Sequence, residues 1–224
     1  MKNMIKAVIF DLDDTLLDRR TTFGTSCGGM ADYLIKWKYL EPEQREDFID
    51  YMQVKDKNGD CPRDTLFENA VQAWGMTCDS DVLYDHYVAN YPKYSVEEPG
   101  AFELLTALKE SGLMLGMITN GVSAIQRGKL KKLDMEKWFG DALIVTGEVG
   151  VHKPDKEVFM IECERLGVKP EECVFVGDNL VNDIAGSEGA GMKAIWYSSF
   201  LPPREGRQPV RTLAEVKKII LGEN

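Results

Sequence analysis

The sequence predicts an α/β fold: a doubly wound parallel sheet with an α-helical domain inserted after its first strand. Three observations carry this. Five short, nearly continuous apolar runs recur along the chain, at 4–10 (MIKAVIF), 113–118 (LMLGMI), 142–145 (ALIV), 173–176 (CVFV) and 192–196 (MKAIW). Unbroken apolarity suits parallel strands covered on both faces. Helical patterns alternate with the later runs, as in βαβ units. The interval after the first run, 18–93, breaks the alternation and is far too long for a plain loop. The domain reading is therefore an α/β core of 1–17 and 94–224, with a helical insert at 18–93. A chain of 224 residues accommodates one domain with an insertion better than two full-sized ones.

In chain order, the first strand ends at Phe10. The insert then repeats apolar residues at three- and four-residue steps: Phe23, Cys27, Met30, Leu34 and Trp37. Pro42 opens a second helix with Phe48, Ile49 and Met52. Asn58-Gly59 signals a turn. Pro62 starts a third helix with Leu66, Phe67, Ala70, Val71 and Trp74, closed by Gly75. A fourth, after Asp79 or Ser80, carries Val82, Leu83 and Tyr87 and stops at Pro92. Its aromatic and Met stripes read as the insert's own core. Beyond it, 99–111, 155–166 and 212–221 are helices, the first two closed by Gly112 and Gly167. The segment 202–209 (PPREGRQP) is a surface loop.

Composition narrows the function. Hydrophobic residues at 44% and charged residues at 29% indicate a globular chain. Lys and Arg number 27 against 37 Asp and Glu, a net charge of −10, so nucleic acid and anionic membranes are unfavoured partners. No apolar run approaches the ~18 residues of a membrane helix. The start of the chain enters the first strand without a long apolar segment, so a cytoplasmic protein is expected. Five scattered cysteines lack CxxC spacing and read as reduced, mostly buried thiols.

Ligands in open α/β sheets gather at the carboxyl ends of the strands. Asp11-Leu12-Asp13-Asp14-Thr15 follows the first strand, Thr119-Asn120-Gly121 the second, Lys153-Pro154-Asp155 lies soon after the third, and Gly177-Asp178, then Asp183, follow the fourth. Carboxylates packed at one point repel, and one is driven to hold its proton unless a cation intervenes. An oxygen-rich site suits Mg²⁺, which retains water and takes phosphate oxygens. With Lys153 as a second positive centre, the Thr119 hydroxyl and the Asn120 and Gly121 amides, the set describes a phosphoryl cradle.

These four motifs, in this order, resemble the haloacid dehalogenase-like superfamily, over nearly the whole chain. Asp11, Asp13 and Thr15 match its first motif, Thr119 the second, Lys153 the third, and Gly177, Asp178 and Asp183 the acidic fourth. The insert resembles the helical cap of the family's first subclass on a Rossmann-like core. The resemblance implies Asp11 as nucleophile forming an aspartyl-phosphate. It implies Asp13 as proton donor to the leaving alkoxide and then base for the hydrolytic water. Mg²⁺ is implied on the Asp11 carboxylate, the Asp13 carbonyl and Asp178. Thr119, Asn120, Gly121 and Lys153 would bind the transferring phosphoryl group. Asp183 and Thr15 would stand behind the ligands, Asp183 orienting Lys153 or a metal-bound water. Members that cleave carbon–halogen bonds lack the second aspartate, so Asp13 favours an alkoxide leaving group. The stretch Ile118-Thr119-Asn120-Gly121, with Gln126 and Lys129-Leu130 in the following helix, resembles the branch of nucleoside monophosphate and acyl-sugar phosphatases.

The expected function is Mg²⁺-dependent hydrolysis of small soluble phosphomonoesters. The alternatives are a phosphosugar mutase of the same superfamily and a non-catalytic binding protein on this scaffold. Plainer roles exist for single residues. Asp155 reads as a helix cap, Asp183 as structural or orienting, and Asp14 as a structural residue pointing away from Asp13 along an extended segment. His86 reads as surface or core, and His152 as packing. Candidate specificity residues of the cap are Arg19, Arg20, Lys36, Trp37, Arg63 and the 57–60 turn, although most such charges form a solvated face.

Overall fold

The computed structural model describes residues 4–204 and 206–223; Met1–Asn3 of the amino-terminal reading and Glu205 of the predicted 202–209 loop lie outside them. The chain begins with β1 (Ala7–Phe10). Four helices follow: α1 (Arg19–Lys36), α2 (Arg45–Asp56), α3 (Arg63–Trp74) and α4 (Ser80–Asn90). Then come α5 (Ala101–Glu110), β2 (Met114–Thr119), α6 (Ser123–Lys132), β3 (Leu143–Val145), α7 (Thr146–Val149) and α8 (Lys156–Leu166). The chain closes with β4 (Cys173–Gly177), a π-helical turn (Leu180–Ala185), α9 (Gly186–Ala190), β5 (Lys193–Trp196) and α10 (Leu213–Leu221). It divides into two compact units, Met1–Asp18 with Glu97–Asn224, and Arg19–Val96. Among the described residues no helix is long and apolar enough to cross a membrane.

In the first unit five parallel strands lie in the order β3-β2-β1-β4-β5, so β1 is central. Successive strand residues point to opposite faces, and both are covered. Val8, Phe10, Leu115, Met117, Val174 and Val176 pack with Leu104, Leu105 and Leu108 of α5, Leu130 of α6, and Leu213 and Val216 of α10. Ala7, Ile9, Ile118, Ile144 and Phe175 face the other way, onto Val158, Phe159 and Cys163 of α8. Phe159 and Phe175 meet edge to face, centroids 5.3 Å apart. That arrangement explains the apolar runs: a strand covered on both faces has no position for a polar side chain. Caps end the helices as the sequence suggests. Gly167 takes a left-handed conformation after α8, and Thr212 accepts from the Glu215 amide at 3.2 Å before α10. The chain leaves and re-enters this unit side by side. Leu17 bridges Glu97, and the Glu98 amide donates to the Leu16 carbonyl at 3.0 Å.

One buried residue contradicts its surroundings. Glu162 of α8 is fully buried, and neither carboxylate oxygen makes a hydrogen bond of normal geometry. It lies over Gly116 of β2, where a Cβ would fall 2.4 Å from Glu162 Oε1, so a larger residue there would displace the carboxylate. Burial pushes its pKa up to about 8, opposed by Arg165 and the Met117 backbone.

The second unit is all helical. Its core joins Phe23, Cys27, Met30 and Leu34 of α1, Phe48 and Met52 of α2, Leu66, Phe67 and Ala70 of α3, and Leu83 and Tyr87 of α4. Trp37, predicted on the α1 stripe, is instead 57% exposed, because the helix ends at Lys36. Asp56 is buried and accepts from Arg19 Nη2 at 2.9 Å, Arg63 Nη1 at 2.6 Å and the Gly59 amide at 2.9 Å. The Arg63 guanidinium lies over the Phe23 and Tyr87 rings, and Arg19 over Phe23. Arg20 and Lys36 are exposed, and His86 stacks against Tyr33 at 4.5 Å.

Candidate active site

The carboxyl end of the sheet collects the acids. Asp11 follows β1, held by its amide to the Val176 carbonyl of β4 at 2.9 Å. Lys153 Nζ donates to Asp11 Oδ1 at 2.6 Å and to Asp183 Oδ1 at 2.7 Å. All three side chains are buried. Burial alone would discharge Lys153, but Asp11 and Asp183 override it and raise its pKa. The second Asp183 oxygen accepts from the Asn179 amide at 2.9 Å. Gly177 makes room for that carboxylate: a Cβ there would fall 2.4 Å from Asp183 Oδ2. Asp183 sits on the π-helical turn opened by Asn179, whose side chain caps the Val181 and Asn182 amides.

Asp178, half-buried, completes the cluster. Carboxylate oxygens of Asp11, Asp178 and Asp183 all lie within 4.8 Å of one another. Burial, then Lys153 in opposition, then Asp183 and Asp13, leave the Asp11 pKa pushed up to about 7. Burial and the charges of Asp183, Asp11 and Asp14 raise Asp178 well above the carboxylate range. One ammonium does not offset three acids. The donor set is all oxygen and carries excess negative charge, so it fits a hard divalent cation.

Asp13 and Thr119 meet across α6. Lys129 Nζ lies 2.8 Å from both Asp13 oxygens. Gln126 Nε2 donates to Asp13 Oδ2 at 2.9 Å and to Thr119 Oγ1 at 2.5 Å. The Asn120 side chain bonds the Lys153 backbone twice: Nδ2 donates to the carbonyl, and Oδ1 accepts from the amide, each at 3.0 Å. The Gly121 amide donates to Thr146 Oγ1 at 3.3 Å, so this donor is engaged within the protein. His152, exposed, touches the same hydroxyl at 3.0 Å through Nδ1. Thr15 Oγ1 is buried without a hydrogen-bond partner.

The family model for haloacid dehalogenase-like hydrolases matches residues 5–191. The chain belongs to this family. The rat N-acylneuraminate-9-phosphatase is 34% identical over 211 residues, covering 87% of this chain and 83% of that protein. The glyceraldehyde 3-phosphate phosphatase of Pyrococcus furiosus is 39% identical over 196 residues, 86% of this chain and 80% of that one. Among solved structures, the haloacid dehalogenase-like phosphatase of Thermococcus onnurineus matches 98% of this chain and 99% of its own, with 27% identity and a TM-score of 0.69. The chain thus falls in the family's phosphatase branch.

Two features of this haloacid dehalogenase-like hydrolase depart from the sequence reading. Asp14 is not on an extended segment. It has φ 54°, in a tight turn closed by its amide on the Leu17 carbonyl at 2.8 Å, and its charge reaches Asp178. The alternation argument fails there because the strand has already ended. The other is the Lys129–Asp13 ion pair, which sequence reasoning missed. Lys129 stands beside Lys131 and Lys132, and its resemblance to the phosphatase branch gives it no partner. The signals for the pair are that resemblance and the three-residue step from Gln126, which puts both on one helix face.

Proposed function

We propose that the protein is a Mg²⁺-dependent cytoplasmic phosphatase that hydrolyses small soluble phosphomonoesters through an aspartyl-phosphate on Asp11. The observation that carries this reading is the buried Asp11–Lys153–Asp183 chain beside Asp178, with Thr119 and Asp13 linked at the neighbouring strand ends. A nucleophilic carboxylate gripped by one ammonium and crowded by acids has no use in a simple binding protein. Asp11, Asp178 and the Asp13 carbonyl would hold Mg²⁺, which would supply positive charge to the phosphoryl oxygens. Lys153 fixes Asp11 and offsets charge on the phosphoryl group. Asp11 attacks phosphorus as the ester P–O bond breaks, and Asp13 gives its proton to the departing alkoxide. Asp13, now a carboxylate, takes a proton from water, which displaces Asp11 and releases phosphate. Thr119 and the Asn120 amide bind the transferring group. Asp183 orients Lys153.

The relatives' names direct the substrate search to sugar phosphates and trioses, with nucleoside monophosphates beside them. A panel of such esters is assayed for phosphate release with Mg²⁺ and with a chelator. Metal-dependent release is expected, and its absence across the panel refutes the reading. Asp11→Asn should abolish turnover with an unchanged circular dichroism spectrum; near-normal turnover would remove Asp11 as nucleophile.

A further inference from the structure

Lys129 and Gln126 are both buried, at 3% and 2% exposure. A buried ammonium is costly unless it is paired and hydrogen-bonded. Lys129 spends its charge symmetrically, 2.8 Å from each oxygen of Asp13, whose side chain remains 23% exposed. Gln126 has two N–H donors on one nitrogen. That nitrogen reaches Asp13 at 2.9 Å and Thr119 Oγ1 at 2.5 Å. The Thr119 hydroxyl, accepting there, has its own hydrogen to donate elsewhere. α6 therefore ties a group just beyond β1 to one at the end of β2.

We propose that Lys129 and Gln126 are positioning residues of the phosphoryl-transfer site: Lys129 fixes the Asp13 carboxylate, and Gln126 locks it to the Thr119 hydroxyl and orients that hydroxyl as a donor. This rests on the phosphatase reading above. The two act on different parts of the substrate. Asp13 serves the leaving group, so Lys129 matters when departure needs a proton. Thr119 serves the phosphoryl group, so Gln126 matters for every ester.

The test uses the full chain with Mg²⁺, an alkyl phosphate (glycerol 3-phosphate) and p-nitrophenyl phosphate, whose leaving group departs without a proton. kcat/KM reports the steps through formation of the phosphoenzyme. Lys129→Met should lower it by about 10²-fold for the alkyl ester and by less than about tenfold for the aryl ester. Lys129→Arg, which keeps the charge, should recover most of the alkyl rate. Gln126→Leu should lower both esters by similar factors. Thermal unfolding establishes that each variant is folded, and Lys129→Gln replaces Lys129→Met, with the same expectation, where the latter does not fold. Equal losses on both esters for the Lys129 variant, in an active wild-type background, overturn the positioning role and leave the phosphatase reading intact. A wild type that releases phosphate from neither ester overturns both.

Discussion

Glu162 should make the protein less stable as pH rises, and the effect can be isolated. Its carboxyl is fully buried over Gly116, and burial lifts its pKa from 4.5 to about 8. In the unfolded chain it ionises near its ordinary value. Between those values the native state binds the extra proton. The stabilisation is therefore complete below the unfolded pKa and is lost as pH rises through the folded one. At 1.36 kcal/mol per unit, the loss from about pH 5 to about pH 8.5 is about 4 kcal/mol. That is a large share of the 5–15 kcal/mol typical of domains. Glu162→Gln keeps the volume and removes the titration. Urea unfolding of both proteins across this range should give stabilities that diverge, the variant gaining by about 4 kcal/mol toward alkaline pH. Every other ionisable group is common to the pair and cancels, and a constant offset from the amide does not alter the slope. Parallel stability curves would refute the reasoning.

Further outcomes follow from single contacts. Asp13→Asn should cost about 10²–10⁴-fold in turnover of alkyl phosphates, measured as phosphate release, because the proton transfers are lost. Asp56→Leu should destabilise by about 3–5 kcal/mol in a chemical melt, since it leaves two guanidiniums of the helical unit without their buried carboxylate. Phe175→Ala should cost about 3–5 kcal/mol by the same assay, having emptied the contact with Phe159. Adding Mg²⁺ should raise the thermal midpoint of the wild type, because it relieves repulsion among Asp11, Asp178 and Asp183. Asp178→Asn should show a smaller rise.

Much of the fold and of the site is legible in the sequence, and for definite reasons. The five strands announce themselves because helices cover both sheet faces, which leaves nearly unbroken apolar runs. The helices of the insert are readable from Phe23, Cys27, Met30 and Leu34 because burial falls on one face. Boundaries differ where pairing decides them: β1 starts at Ala7, not Met4, because its register with β2 and β4 begins there, opposite Met114 and Cys173, with Lys6 adding one backbone hydrogen bond to each side. α7 was missed because Thr146–Val149 is a single turn, too short for any periodicity. The acids of the site are visible because they follow apolar runs, Asp11 and Asp178 almost at once and Asp13 and Asp183 a few residues on. The pairing of Lys129 is not, because whether a lysine in a basic helix is buried depends on Asp13, more than a hundred residues away.

The side-by-side departure of the chain at Leu16–Leu17 and Glu97–Glu98 has a consequence for how the α/β unit tolerates change. Its own folding asks of the insert only that two ends be delivered a strand's width apart. The entropic cost of closing such a loop rises only with the logarithm of its length. The helices between could be lengthened, shortened or exchanged for another module with little effect on β1, β2 and β4, which hold Asp11 from both sides. The insert's content and the nucleophile's setting can therefore change separately, since the two backbone contacts that set the ends of the insertion lie within the α/β unit itself.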